Sequence, residues 1–137
     1  MMHLTLDNPE SVAAPFAAAF SHVARVDIGD GAMLFIAGQV AVDDDGEVVA
    51  PGDIVGQSER IFEILGGLLA AHDASFADVA HVRTFLVDLD DLPGYRSVRR
   101  RAFPTNPPAS TTVAVSGLVL PGCLIEVEAV AVVRSPQ

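Results

Sequence analysis

From Ser21 to Ile28 the side chains alternate: Val23 and Arg25 fall on one side, and His22, Ala24, Val26 and Ile28 on the other. A period of two predicts a strand. Gly29-Asp-Gly31 reads as a hairpin turn, and Met33 to Ala37 is an unbroken apolar run, expected to be a strand covered on both faces. Gly38-Gln39 ends that run, Asp43 to Gly46 reads as another turn, and Glu47 to Ala50 as a short further strand. Before all of these, Pro9 and Pro15 break any long helix, so residues 1–20 are expected to be an arm or a short helical turn.

The pattern then changes period. Ile54, Ile61, Ile64, Leu65, Leu68 and Leu69 recur at helical spacing, and Asp53 after Pro51-Gly52 is a good N-cap. This predicts a helix over residues 54–71, in which Gly66-Gly67 costs about 2 kcal/mol against Ala-Ala. Close packing on a sheet is the expected reason for that pair. Ala80, Val82, Thr84 and Leu86 alternate with His81, Arg83, Phe85 and Val87, a strand. A second helix starts at Asp90 or Asp91 and runs to about Phe103, where Asn106-Pro-Pro108 stops it. Two further β-rich runs flank Leu120-Pro121-Gly122, which reads as the turn of a terminal hairpin. A strand–helix–strand unit repeated in this way argues for one sheet with helices on one face. The other face should be covered by a second subunit.

Composition sharpens this. A chain of 137 residues fits one domain. Half of it is hydrophobic and only 19% charged, so some apolar surface is expected to meet another copy. The net charge of -10 disfavours nucleic acid as a partner. All basic residues are Arg, which removes lysine Schiff-base chemistry and the P-loop lysine. The one cysteine, Cys123, fits a reducing cytoplasm. The apolar stretch Val12–Phe20 follows Asp7 and Glu10 and is too short to span a bilayer, so no membrane association is expected.

Several chemistries leave no motif here: nucleophile elbow, zinc-protease helix, phosphate loop and paired metal ligands are all absent from the sequence. His3, His22, His72 and His81 are scattered, and no metal or cofactor is expected. Arg96, Arg99 and Arg100 share one side of the second helix, as a solvated basic face or an anion site. On the last strand Ile125, Val127, Ala129 and Ala131 point one way, and Glu126, Glu128, Val130 and Val132 the other. Two carboxylates on one face repel. Glu126, among apolar neighbours, is the sharper candidate for acid–base work; a backbone-bonded glutamate at a subunit contact is the structural alternative.

Ala37-Gly38-Gln39 after an apolar strand, Gln57 in the first helix, Asp78-Val79, Phe85-Leu-Val-Asp88, Pro108-Ala109 and Ile125-Glu-Val-Glu-Ala129 occur in the order found in the Rid proteins. The chain resembles these RidA/YjgF-like reactive intermediate deaminases over residues 21–133. The resemblance implies an α+β fold, a six-stranded mixed sheet with two helices on one face, similar to chorismate mutase. It implies a single domain over 1–137, with 1–20 as the arm, and a homotrimer with sites in the clefts between subunits. In deaminating members an Arg after Pro-Ala clamps the substrate carboxylate, and a Glu at the position of Glu126 handles the water that hydrolyses an enamine or imine.

Here Ser110 stands in the Arg position, Ala37 replaces a usual Ser, His22 a usual Tyr, and Arg96 a usual Asn. Thr112 stands where a small polar residue or Cys is usual. Losing the charge-assisted clamp weakens carboxylate binding by about 1.5–3 kcal/mol. The chain therefore resembles a branch without the clamp. The expected function is hydrolysis or handling of reactive enamines, imines or related small metabolites. Glu126 would work the water, Ser110, Thr112, Gly38 and His22 would line the site, and Arg83 or Arg96 would replace the missing charge. The alternative is a trimer that binds a metabolite or partner protein without turnover.

Overall fold

Met2–Asp7 forms a strand, β1, in the computed structural model of the chain, which describes residues 2–134. This corrects the expectation of an arm or a short helical turn over residues 2–7; a short helical turn does occur further on, at Phe16–Ala18. The prolines that exclude a long helix lie beyond Asp7, and Met2, Leu4 and Leu6 alternate with His3, Thr5 and Asp7. β1 pairs antiparallel with β2 (Val23–Ile28). Its end is fastened by His72, whose Nε2 donates to Asp7 at 2.9 Å and whose backbone carbonyl accepts from Arg25 at 3.4 Å.

The Gly29-Asp30 turn, with Gly29 at φ 57°, leads into β3 (Gly31–Val40). Leu34 and Ile36 are buried, but Phe35 between them is 44% exposed, so β3 is covered on one face only within the protomer. Residues 47–50 make no strand; a single bridge joins Val42 to Val48. The helix α1 (Ile54–Ala70) starts at Asp53, whose carboxylate accepts from Gly56 N at 3.0 Å. Then come β4 (Val79–Leu86), α2 (Leu92–Ala102), β5 (Ala109–Ala114) and β6 (Ile125–Arg134).

The six strands lie in the order β1-β2-β3-β6-β4-β5. Only β4 and β5 pair in parallel, as a strand–helix–strand crossover into the neighbouring strand demands. The last two strands are thus not a hairpin: β4 lies between them, and β6 is antiparallel to both β3 and β4. Leu120-Pro121-Gly122 does turn the chain, with Gly122 at φ 89°, but inside the loop that carries it past β4. A turn signal fixes a local reversal and says nothing about which strands then pair.

Both helices cover one face. Leu34, Ile36, Val82, Leu86, Ile125, Val127 and Ala131 meet Ile61, Leu65, Leu68 and Leu69 of α1 there. Tyr95 of α2 is fully buried, and its hydroxyl lies 2.6 Å from Thr84 Oγ1, so neither polar group is stranded. Gly66 and Gly67 do not touch the sheet: a β-carbon on either would meet Phe76 or Ser11 at an ordinary 3.5 Å. The uncovered face carries Met2, Leu4, Leu6, Ile28, Phe35, Val113 and Val132, all more than a third exposed.

Candidate active site

Glu126 sits near the start of β6, opposite Val40 on β3 and Phe85 on β4. The β3–β6 register shifts between Ile36 and Gln39, and this bulge brings Gly38 against the glutamate. A β-carbon at Gly38 would stand 2.8 Å from the carboxyl carbon and from Oε2. Glycine is the residue that lets the carboxyl lie flat on the strand. Burial pushes the Glu126 carboxyl above the usual glutamate range, and the neighbouring Glu128 pushes it further. Glu126 has no side-chain hydrogen bond or ion pair among the described residues, whereas Glu128 accepts from Arg83 at 2.9 Å. Of two acids on one strand face, one is neutralised and the other is left free.

Beside Gly38, Gln39 donates from Nε2 to the Ala37 carbonyl at 3.0 Å and to His22 Nδ1 at 3.1 Å. The Ala37 bond fixes which end of the amide is the donor, so His22 Nδ1 accepts and Nε2–H donates to the Ala13 carbonyl at 2.7 Å. The His22 backbone N–H donates to Asn8 at 2.8 Å. His22 is buried and spends both ring nitrogens in holding residues 8–20 over the bulge. That segment contains Ala17 and Ala18 at φ 55° and 51°, a left-handed turn that costs about 1–2 kcal/mol per residue outside glycine.

Together these parts enclose a groove of about 1150 Å³. Glu126, Gly38, Gln39 and His22 line it, under a roof of residues 12–20, with the Asp45-Gly46-Glu47 turn and Val119-Leu120-Pro121 at its sides. Gln57, fully buried in α1, fixes the second side. It donates to the carbonyls of Val49 and Gly122 and accepts from Leu124 N at 2.8 Å.

The groove therefore gathers three of the sequence-derived site residues: Glu126, Gly38 and His22. It does not gather the rest within one protomer. Ser110 and Thr112 are on the edge strand β5, in register with Val82 and Thr84, and so share the helix-covered face. Arg83 is on the open face, bonded to Glu128. Arg96 is exposed on α2. Arg99 lies one turn further along the same side of α2. It stacks over Tyr95 and donates to Ser110 Oγ at 3.3 Å. The arginine spacing of three put it on that side of the helix, but nothing in the spacing pointed to Ser110. Asp45 and Glu47 also line the groove, as does Gln39 of the Ala37-Gly38-Gln39 motif; none of the three is a site candidate from sequence, because their approach depends on the loop and the bulge. No cluster able to hold a metal ion occurs among the described residues.

Comparison with known proteins fits this geometry. Residues 11–133 match the model of a family described as endoribonuclease L-PSP. Protein DfrA of Myxococcus xanthus is 38% identical over 113 residues, covering 82% of this chain and 84% of that protein. The 3-aminoacrylate deaminase RutC of Acinetobacter baylyi is 34% identical over 99 residues, covering 72% and 78%. The crystal structure of the yeast protein YEO7 superposes with a TM-score of 0.85 at 32% identity, over 96% of this chain and all of that one.

Proposed function

The chain belongs to the endoribonuclease L-PSP family, the YjgF/RidA proteins, and from that premise we propose that it hydrolyses reactive imines or enamines with Glu126 handling the water. The observation that carries this reading is the free, half-buried Glu126 carboxyl held on Gly38. A carboxylate with no internal partner can take a proton from water as its oxygen adds to the C=N carbon. The same carboxyl then returns the proton to nitrogen. In the carbinolamine so formed Glu126 takes the hydroxyl proton as the C=O bond forms and passes it to nitrogen, so the C–N bond breaks with its electron pair on the departing ammonia; an enamine enters the same path after tautomerising to the imine. A carboxyl held above the usual glutamate range by burial is a stronger base toward water than an ordinary glutamate.

In this reading three copies assemble through the uncovered sheet faces. The exposed Phe35, Val132 and Ile28 give that face an apolar surface that association would bury. The β5 edge of one copy would then close the groove of the next, offering the hydroxyls of Ser110 and Thr112 in place of a carboxylate clamp. Arg83 is already committed to Glu128, and Arg96 remains the candidate for a replacement charge from outside the protomer. The family description speaks of RNA, but a net charge of -10 works against a phosphate backbone. No helix among the described residues is long and apolar enough to cross a membrane. Cys123, buried and unpaired, suits a cytoplasmic setting.

Ser110 also favours a second reading, a trimer that binds a metabolite without turnover. One assay separates the two. An amine or amino-acid oxidase generates imines in situ while semicarbazide traps whatever persists. Hydrolysis predicts less semicarbazone with the protein present, and the effect disappears in Glu126→Gln. Unchanged trapping with every imine, by a folded protein, leaves the binding trimer.

A further inference from the structure

The groove over Glu126 is one-sided in charge. Its ionisable lining consists of Glu126 on the floor, Asp45 and Glu47 on the exposed turn at the side, and His22, whose two nitrogens are already engaged. No Arg lines it. The basic residue tied to the same turn is Arg60, and it is spoken for: it donates to the Val42 carbonyl, to Glu63 and to Asp44. Most of the remaining wall is aliphatic or aromatic, with Val12, Phe16, Phe20, Val40, Val48 and Leu120 prominent.

We propose that this groove takes a substrate without a carboxylate: an apolar-bodied imine, neutral or protonated to the iminium, or the enamine in equilibrium with it. This deepens the hydrolase reading and rests on it for the chemistry, but the ligand class stands on the lining alone. Within the protomer a carboxylate entering the groove meets three acids and no counter-charge, and Glu126 is partly desolvated, where repulsion is screened least. A protonated imine meets the same three acids as partners, and its hydrocarbon part buries against the wall. Such imines arise by oxidation of monoamines, so the reaction supplying this site would be an amine oxidation rather than an amino-acid oxidation.

Two readouts on matched probes test this. In the first, calorimetry compares 3-methylbutylammonium with 3-methylbutanoate, which share a hydrocarbon body and differ in charge. The account predicts on the order of tenfold tighter binding of the ammonium at low salt, narrowing as salt is raised. It also predicts a several-fold loss of that preference in the double variant Asp45→Asn, Glu47→Gln, whose changes are both on an exposed turn. In the second, semicarbazide trapping compares the imine of 3-methylbutylamine with the imino acid of leucine. Faster hydrolysis of the carboxylate-free imine supports the proposal. Equal or tighter binding of the carboxylate overturns it, as does absence of binding by both probes. Carboxylate binding abolished by Arg96→Gln would show in addition that a second copy supplies a cation. Ammonium preference without any imine hydrolysis would uphold the ligand class and remove the hydrolase reading, so the two failures are distinct.

Discussion

On β6 the side chains of Ile125, Val127, Ala129 and Ala131 disappear beneath two helices, while Glu126, Glu128, Val130 and Val132 face away from them. The first set is closed. Thr84 is paired there with Tyr95, while Ser58 Oγ on α1 is buried without a partner among the described residues. The second set is unfinished. It offers exposed apolar side chains, one neutralised acid and one free acid. The contrast shows where folding ends and function begins on a single strand: packing decides one register of residues, and the alternate register is left for subunits and chemistry.

The contrast breaks most visibly on β3. Leu34→Ala, under the helices, should cost about 2–5 kcal/mol in denaturant unfolding. Phe35→Ala, one residue along on the open face, should cost about 1 kcal/mol or less in protomer stability and should act instead on the oligomer measured by ultracentrifugation. Equal costs would erase the distinction between the faces.

Gly38→Ala tests the bulge. The new methyl overlaps the Glu126 carboxyl, so it should cost about 1–3 kcal/mol and displace the acid, lowering imine hydrolysis together with stability.

Glu126→Gln should part the two properties. The folded pKa of Glu126 is raised, so its contribution to stability is full below the unfolded value and is lost as pH rises through the folded value. At neutral pH the variant should therefore be more stable than the parent while inactive. The advantage should vanish in acid, below the pKa of an unfolded glutamate, as read from urea midpoints across pH. A variant less stable than the parent at neutral pH would contradict the placement of this acid.

The smallest effect belongs to the closed side. Gly66→Ala has room beside Phe76 and should stabilise the protein by about 0.5–1 kcal/mol in thermal or chemical unfolding.

How much of this the chain disclosed depends on the range of the interaction. Periodicity and the Asp53 cap locate α1 to within a residue, because both signals act within one turn. Alternation finds Glu126 and Glu128 on a common face for the same reason. Strand order is different. β6 lies between β3 and β4, a choice made by crossover geometry and by burial of the whole sheet, and the Leu120-Pro121-Gly122 turn suggested a hairpin that does not exist. That Ser110 and Thr112 share the helix-covered face follows from the register of β5 on β4, which local alternation does not reveal. The pairing of His22 with Gln39 needs a bulge that no local pattern announces. β1 was legible in principle; its alternation is short, and the prolines after it drew the reading toward an arm.

The central claim is that the free acid on Gly38 works on water. The most direct measurement is the pH dependence of kcat/KM for hydrolysis of a carboxylate-free imine, parent against Glu126→Gln. The account predicts a limb in the parent that falls toward acid with an apparent pKa above that of an ordinary glutamate, and no such limb in the variant. A limb of the same position and height in both proteins would contradict it.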